Sequence, residues 1–115
     1  MLRQRVLRPG EILFFQGMLA DEAFLVKEGR VEIFRTTDLG ETVLATLGPG
    51  AIFGEMALVD ARPRSAGARA LGIAVVAVIP RRVFEEELAR CPMIIRTLVE
   101  RYVDIIRDAN RRQDS

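Results

Sequence analysis

The residues best suited to chemistry lie in one short stretch. Phe53-Gly54-Glu55-Met56-Ala57-Leu58 is separated from Arg64-Ser65-Ala66 by the five residues Val59-Asp60-Ala61-Arg62-Pro63. Gly54 lets the backbone approach a bound molecule closely. Residues 55–58 fit one short helical turn, whose first N–H groups have no partner inside the helix and together suit an anion. Arg64 follows a loop stiffened by Pro63, and its guanidinium matches a phosphate with two parallel hydrogen bonds. Ser65 adds a hydroxyl donor. Glu55, an acceptor-only group when ionised, suits a sugar hydroxyl. Together these parts describe a pocket for a phosphate joined to a ribose, in which Arg64 also neutralises Glu55 when nothing is bound. Taken singly they read otherwise: Glu55 and Arg64 as a surface ion pair, Gly54 as a turn residue, Ser65 as a solvated strand end, Met56 as packing. Their spacing within one glycine-bounded segment favours the pocket.

Short strands must position this segment. All nine glycines fall before residue 80, where they punctuate short apolar runs. The pattern predicts strands over 5–7, 12–16, 23–27, 30–35, 42–47, 51–53, 66–70 and 73–79. Alternation puts Phe24, Val26, Val31 and Ile33 on an inner face. Lys27-Glu28-Gly29-Arg30 reads as a tight hairpin, because Gly29 can take positive φ. Residues 38–41 and Gly48-Pro49-Gly50 read as further turns. Eight short strands suit a sandwich, a jelly roll or a barrel, and periodicity does not choose among them. Pro80 ends the last strand. Residues 82–90 read as a short helix, Cys91-Pro92 breaks it, and a longer helix runs from Pro92 or Met93 to about Asn110. On that helix Ile95, Leu98, Tyr102, Ile105 and Ala109 recur at helical spacing as the face expected to pack on the barrel. Ile94, Val103 and Ile106 make it apolar over more than one face. The polar tail 111–115 is expected to fray.

Bulk properties narrow the function classes. A chain of 115 residues suits one domain with one core. A net charge of +1 gives no global attraction to nucleic acid or acidic lipid. The absence of histidine removes histidine bases, serine triads of the usual kind and the clustered ligands of a cupin-like metalloenzyme. Cys91 is alone, so no internal disulfide forms, and a reducing compartment, the cytoplasm, is the expected location. The longest apolar stretch, residues 73–79, is far short of the roughly 20 residues that span a bilayer.

Gly-Glu-x-Ala-Leu, five residues, then Arg-Ser-Ala resembles the phosphate-binding cassette of the cyclic-nucleotide-binding domain family. Pro9-Gly10-Glu11, Gln16-Gly17, Ala20-Asp21, the 24–33 segment around Gly29 and Leu47-Gly48-Pro49-Gly50 extend the resemblance over roughly residues 5–110. It implies a single mainly-β domain over 1–115: an eight-stranded antiparallel β-roll (a jelly roll) over about 5–80, then two α-helices over about 81–110. It implies that Glu55 binds the ribose 2′-hydroxyl, and that Arg64 and Ser65 bind the cyclic phosphate, helped by the N–H groups of Gly54, Met56 and Ala57. The purine is expected against Val26, Val43 or Phe53, with the last helix as a lid. The resemblance implies cAMP or cGMP as the ligand, and no catalysis, metal or cofactor is expected. The expected partner, a second copy or an effector domain, meets the C-terminal helix. Reading DNA would require a helix-turn-helix after that helix, so direct nucleic-acid binding is not expected. The alternative is a β-roll of the same fold that binds no ligand and serves as an interaction or dimerisation module, a fragment of a transcription regulator among its forms.

Overall fold

The computed structural model describes the backbone of residues 2–114 and the side chains of residues 2–109. Six strands and three helices follow in the order β1 (Gln4–Leu7), β2 (Ile12–Phe14), β3 (Glu22–Thr37), β4 (Gly40–Leu47), β5 (Ile52–Phe53), α1 (Met56–Asp60), β6 (Gly67–Pro80), α2 (Arg81–Arg90) and α3 (Met93–Asp114). Every strand pair is antiparallel.

The two long strands form the spine. β3 and β6 pair along nearly their whole length, from Glu22 opposite Pro80 to Phe34 opposite Gly67. Register shifts between Val26 and Arg30 interrupt the ladder midway and divide each strand into halves. One layer holds β1, the C-terminal half of β6, the N-terminal half of β3, and β5. The other holds β2, the N-terminal half of β6, the C-terminal half of β3, and β4. Counted by halves, the roll has the eight expected strand segments.

The predicted hairpin at residues 27–30 does not form. The runs 23–27 and 30–35 are two halves of β3, and 66–70 and 73–79 are two halves of β6. Gly29 does adopt positive φ, 77°, but in a bulge rather than a turn. A bulge adds a residue to one strand and sharpens its twist, which carries the chain from one layer to the other. The 38–41 turn forms as read, with Thr37 opposite Gly40.

Between the layers lie Leu7, Phe24, Val26, Phe53, Ala74, Val76 and Val78 from one side and Phe14, Val31, Ala68 and Ala70 from the other. Each large apolar side chain buried there stabilises the fold by roughly 1.5–3 kcal/mol. A smaller cluster, Ala20, Ala23, Ala57 and Leu58, is covered by Ile79 and by Phe84 of α2, and so packs α1 against the roll. Pro80 closes the β6 ladder, and the Arg81 amide donates to the Asp21 carbonyl at 2.8 Å, so α2 starts at once.

Helix α3 departs from its predicted face and end. Ile95, Leu98, Tyr102 and Ile105 are exposed, Tyr102 at 57%, and Ala109 is exposed too, whereas Val103 and Arg107 are buried. Spacing identifies faces of a helix but not the one that docks, and an ion pair described below makes that choice. The helix continues through residues 111–114, where fraying was expected, and Ser115 lies outside the described residues. No helix among the described residues is long and apolar enough to cross a membrane.

Candidate functional site

The strand β5 ends at Phe53, the chain turns at Gly54, and α1 begins with Glu55 as its N-cap. Gly54 has φ 79°, and its carbonyl accepts a 2.8 Å hydrogen bond from Arg64 Nη1. A Cβ on Gly54 would stand 2.8 Å from that nitrogen, so glycine serves both the turn and the approach of the guanidinium.

Arg64 is 7% exposed. Its Nη2 donates to the Glu22 carbonyl at 2.6 Å, and its guanidinium stacks 3.8 Å from the centroid of the Phe14 ring. Phe14 rests on Phe24 and Phe53, with centroids 5.8 and 6.1 Å away. The chain also grips Arg64 by its backbone: its amide donates to the Met18 carbonyl at 2.8 Å, and its carbonyl accepts from the Gly17 amide at 2.8 Å. A guanidinium has five N–H donors, so the two bonds to carbonyls orient it without using all of them. Burial lowers its pKa, opposed by the charges of Glu22 and Glu55.

Arg64 was expected to neutralise Glu55, but among the described residues no ion pair joins them; Arg64 acts on Glu55 through space. Burial raises the Glu55 carboxyl above its usual range, against the lowering effects of a backbone hydrogen bond and of Arg64. A carboxylate that costs free energy to bury is a mark of sites where binding outweighs stability. In α1 the Leu58 and Val59 amides donate to the Glu55 carbonyl at 3.0 and 3.1 Å, while the Met56 and Ala57 amides carry no hydrogen bond among the described residues.

The sign of the Glu55 shift yields a stability prediction. A carboxyl whose folded pKa is raised favours the folded state when protonated, so its contribution declines as pH rises from the unfolded pKa through the folded one. Glu55→Gln is therefore expected to raise the melting temperature of the ligand-free chain at pH 8. The gain should shrink as pH falls toward the unperturbed carboxylate pKa, 4.5. A melting temperature lowered at pH 8, or a gain independent of pH, would contradict the burial cost.

All six residues singled out in the sequence, Gly54, Glu55, Met56, Ala57, Arg64 and Ser65, line one pocket of about 180 Å³. Its remaining wall is Phe14, Ile33, Ile52, Phe53, Ala66 and Arg107. Of the three candidates for the apolar wall, Phe53 lines the pocket. Val26 is in the core, 1% exposed, and Val43 is not among the lining residues. Sequence reasoning missed Phe14, Ile33, Ile52 and Arg107. Alternation marks Ile33 as inward-facing, but nothing local marks Arg107, which reaches the pocket from α3. The lining thus combines the Arg64 and Arg107 guanidinium groups and the Met56 and Ala57 backbone with the apolar side chains of Phe14, Ile33, Ile52 and Phe53.

The sequence model of the cyclic nucleotide-binding domain matches residues 4–91. The chain is 37% identical over 113 residues to the cyclic AMP receptor protein of Thermus thermophilus, covering 96% of this chain and 52% of that one. It is 35% identical over 94 residues to the cAMP-dependent protein kinase type II regulatory subunit of Drosophila melanogaster, covering 81% of this chain and 25% of that one. It thus spans about half the length of the first relative and a quarter of the second. Among solved structures, the cAMP-bound form of the EAL enzyme Bd1971 superposes with a TM-score of 0.89 at 32% identity, over 94% of this chain and 29% of that one. The Thermus thermophilus catabolite activator protein superposes with a TM-score of 0.77 at 34% identity, over 98% of this chain and 54% of that one. The match of family sequence, the shared roll and its continuation into C-terminal helices together show that this chain belongs to the cyclic nucleotide-binding domain family.

Proposed function

We propose that this chain binds a cyclic nucleoside monophosphate, cAMP or cGMP, and acts as a regulatory module without chemistry of its own. The convergence of Arg64, Ser65, Glu55 and the unused Met56 and Ala57 amides on one pocket whose lining is otherwise largely apolar carries the reading. A cyclic nucleotide has parts to match: an anionic phosphate, a ribose hydroxyl and a flat base. In this reading Arg64, Ser65 and the amides of Gly54, Met56 and Ala57 hold the phosphate, Glu55 accepts from the 2′-hydroxyl, and the base lies toward Ile33, Ile52 and Phe53. Solved relatives carry cAMP in one form and cGMP in another, which supports both as candidates. The module works in the cytoplasm and signals by a shift in α3, whose exposed apolar face meets a second copy or an effector.

Titration calorimetry of the chain with cAMP and with cGMP tests the reading directly, and a folded chain that binds neither overturns it. The Glu55 assignment has its own test. A hydrogen bond to a charged group contributes about 1.5–3 kcal/mol, so the 2′-deoxy nucleotide is expected to bind about 10- to 100-fold more weakly than the parent nucleotide. In Glu55→Gln most of that discrimination should vanish. Discrimination surviving undiminished in the variant would remove Glu55 from the 2′-hydroxyl.

A further inference from the structure

One contact ties the C-terminal helix to the cassette. Arg107 of α3 pairs with Asp60 through Nε to Oδ2 and through Nη2 to Oδ1, the latter at 3.0 Å. The same guanidinium donates to the Pro63 carbonyl at 2.9 Å and to the Arg62 carbonyl at 3.5 Å. The two side chains are 8% and 10% exposed. Arg107 therefore holds both ends of the loop between α1 and Arg64. Within that loop Ala61 has φ 55°, the one positive value outside glycine among the described residues. A non-glycine residue in that region is strained, and surrounding structure must hold it there. The neighbouring α3–cassette pair, Arg62 with Asp104, is solvent-exposed and stretched to 4.0 Å, and pairs of that kind contribute little.

We propose that Arg107, through Asp60, is a positioning residue for nucleotide binding: docked, α3 holds the 60–63 loop in the conformation that aims Arg64 and Ser65 at the phosphate. The proposal deepens the reading of the pocket as a cyclic-nucleotide site and rests on it. It makes affinity depend on where α3 sits and, by reciprocity, makes the position of α3 depend on nucleotide. Lysine cannot replace Arg107, because a single ammonium does not grip a carboxylate and two carbonyls in one plane.

The test uses the full chain, with cAMP as the probe. Asp60→Asn, Arg107→Lys and Arg107→Gln are each expected to weaken cAMP binding at least fivefold, the lower end of ordinary coupling between sites. The double variant Asp60→Asn/Arg107→Gln should lose about as much as either single one, because the two side chains act as a unit. Asp104→Asn should bind like the parent. Without ligand, amide exchange at Arg62 and Arg64 should quicken in Arg107→Gln. With ligand, the change in exchange over residues 93–109 should disappear in the variants while cassette protection persists. Folded variants that bind within fivefold of the parent, or unchanged loop exchange, overturn the positioning role. If Arg107→Gln does not fold, Asp60→Asn and Arg107→Lys decide. A parent chain that binds no cyclic nucleotide overturns the function instead, and the ligand-free exchange still decides whether Arg107 holds the loop.

Discussion

Replacing Arg64 with alanine is expected to weaken cyclic-nucleotide binding by about 30- to several-thousand-fold. The estimate follows from the roughly 2–5 kcal/mol lost when one member of a buried charge pair is truncated, at about 1.4 kcal/mol per decade. The structure adds a second contribution of the same sign. Arg64 satisfies the carbonyls of Gly54 and Glu22 and stacks on Phe14. Its removal leaves two inward carbonyls short of donors and frees the turn at Gly54, next to the Met56 and Ala57 amides proposed to face the phosphate. Arg64→Lys separates the two contributions. It keeps the charge but forms neither the carbonyl pair nor the two-pronged phosphate contact, so its affinity should fall between those of parent and alanine variant. Calorimetry for affinity and circular dichroism for folding check both. An alanine variant that stays folded and binds within threefold of the parent removes Arg64 from the phosphate site.

The largest effect on folding is expected at Gly29. A Cβ there would lie 2.3 Å from the Ile73 carbonyl oxygen and 2.9 Å from the Ala74 Cα, at φ +77°. Both obstacles are backbone, so relief requires β3 and β6 to part where they pass between the layers. The left-handed conformation costs about 1–2 kcal/mol for a residue with a side chain, and overpacking adds about 1–3 kcal/mol. Gly29→Ala is therefore expected to destabilise the chain by about 2–5 kcal/mol, a large share of a total of roughly 5–15 kcal/mol. Its melting temperature should fall by about 10–25 °C. Gly72 supplies the control on the partner strand: its φ is +80°, but no atom lies within 4 Å of the added Cβ. Gly72→Ala should bear the conformational cost alone. Equal melting temperatures for the two variants would show that the strand crossing at Gly29 is not close-packed.

The cassette was legible in the sequence because its parts are close in the chain. Gly54, Glu55 and Arg64 belong to one turn, one short helix and the loop that follows, and their spacing restricts where they can point. The strand runs were legible for a similar reason, since alternation and glycine punctuation are local. The corner at Gly29 was misread as a hairpin because a glycine at positive φ serves a turn and a bulge equally. The partner strand decided between them, with Val75 opposite Glu28 and Leu71 opposite Arg30 across 40 or more residues of chain. The docked face of α3 was also beyond local reading. Hydrophobic spacing marked Ile95 to Ala109, yet the buried positions are Val103 and Arg107, because a carboxylate brought near by α1, Asp60, pairs with Arg107 there. The pocket's apolar wall has the same origin: Phe14, Ile33 and Ile52 come from three strands that meet only when the roll closes. By itself the sequence determined which cassette groups gather at one pocket. Tertiary structure decided which apolar side chains complete the pocket and which side of α3 docks on the cassette, because those contacts join residues tens of positions apart and no local pattern encodes their meeting.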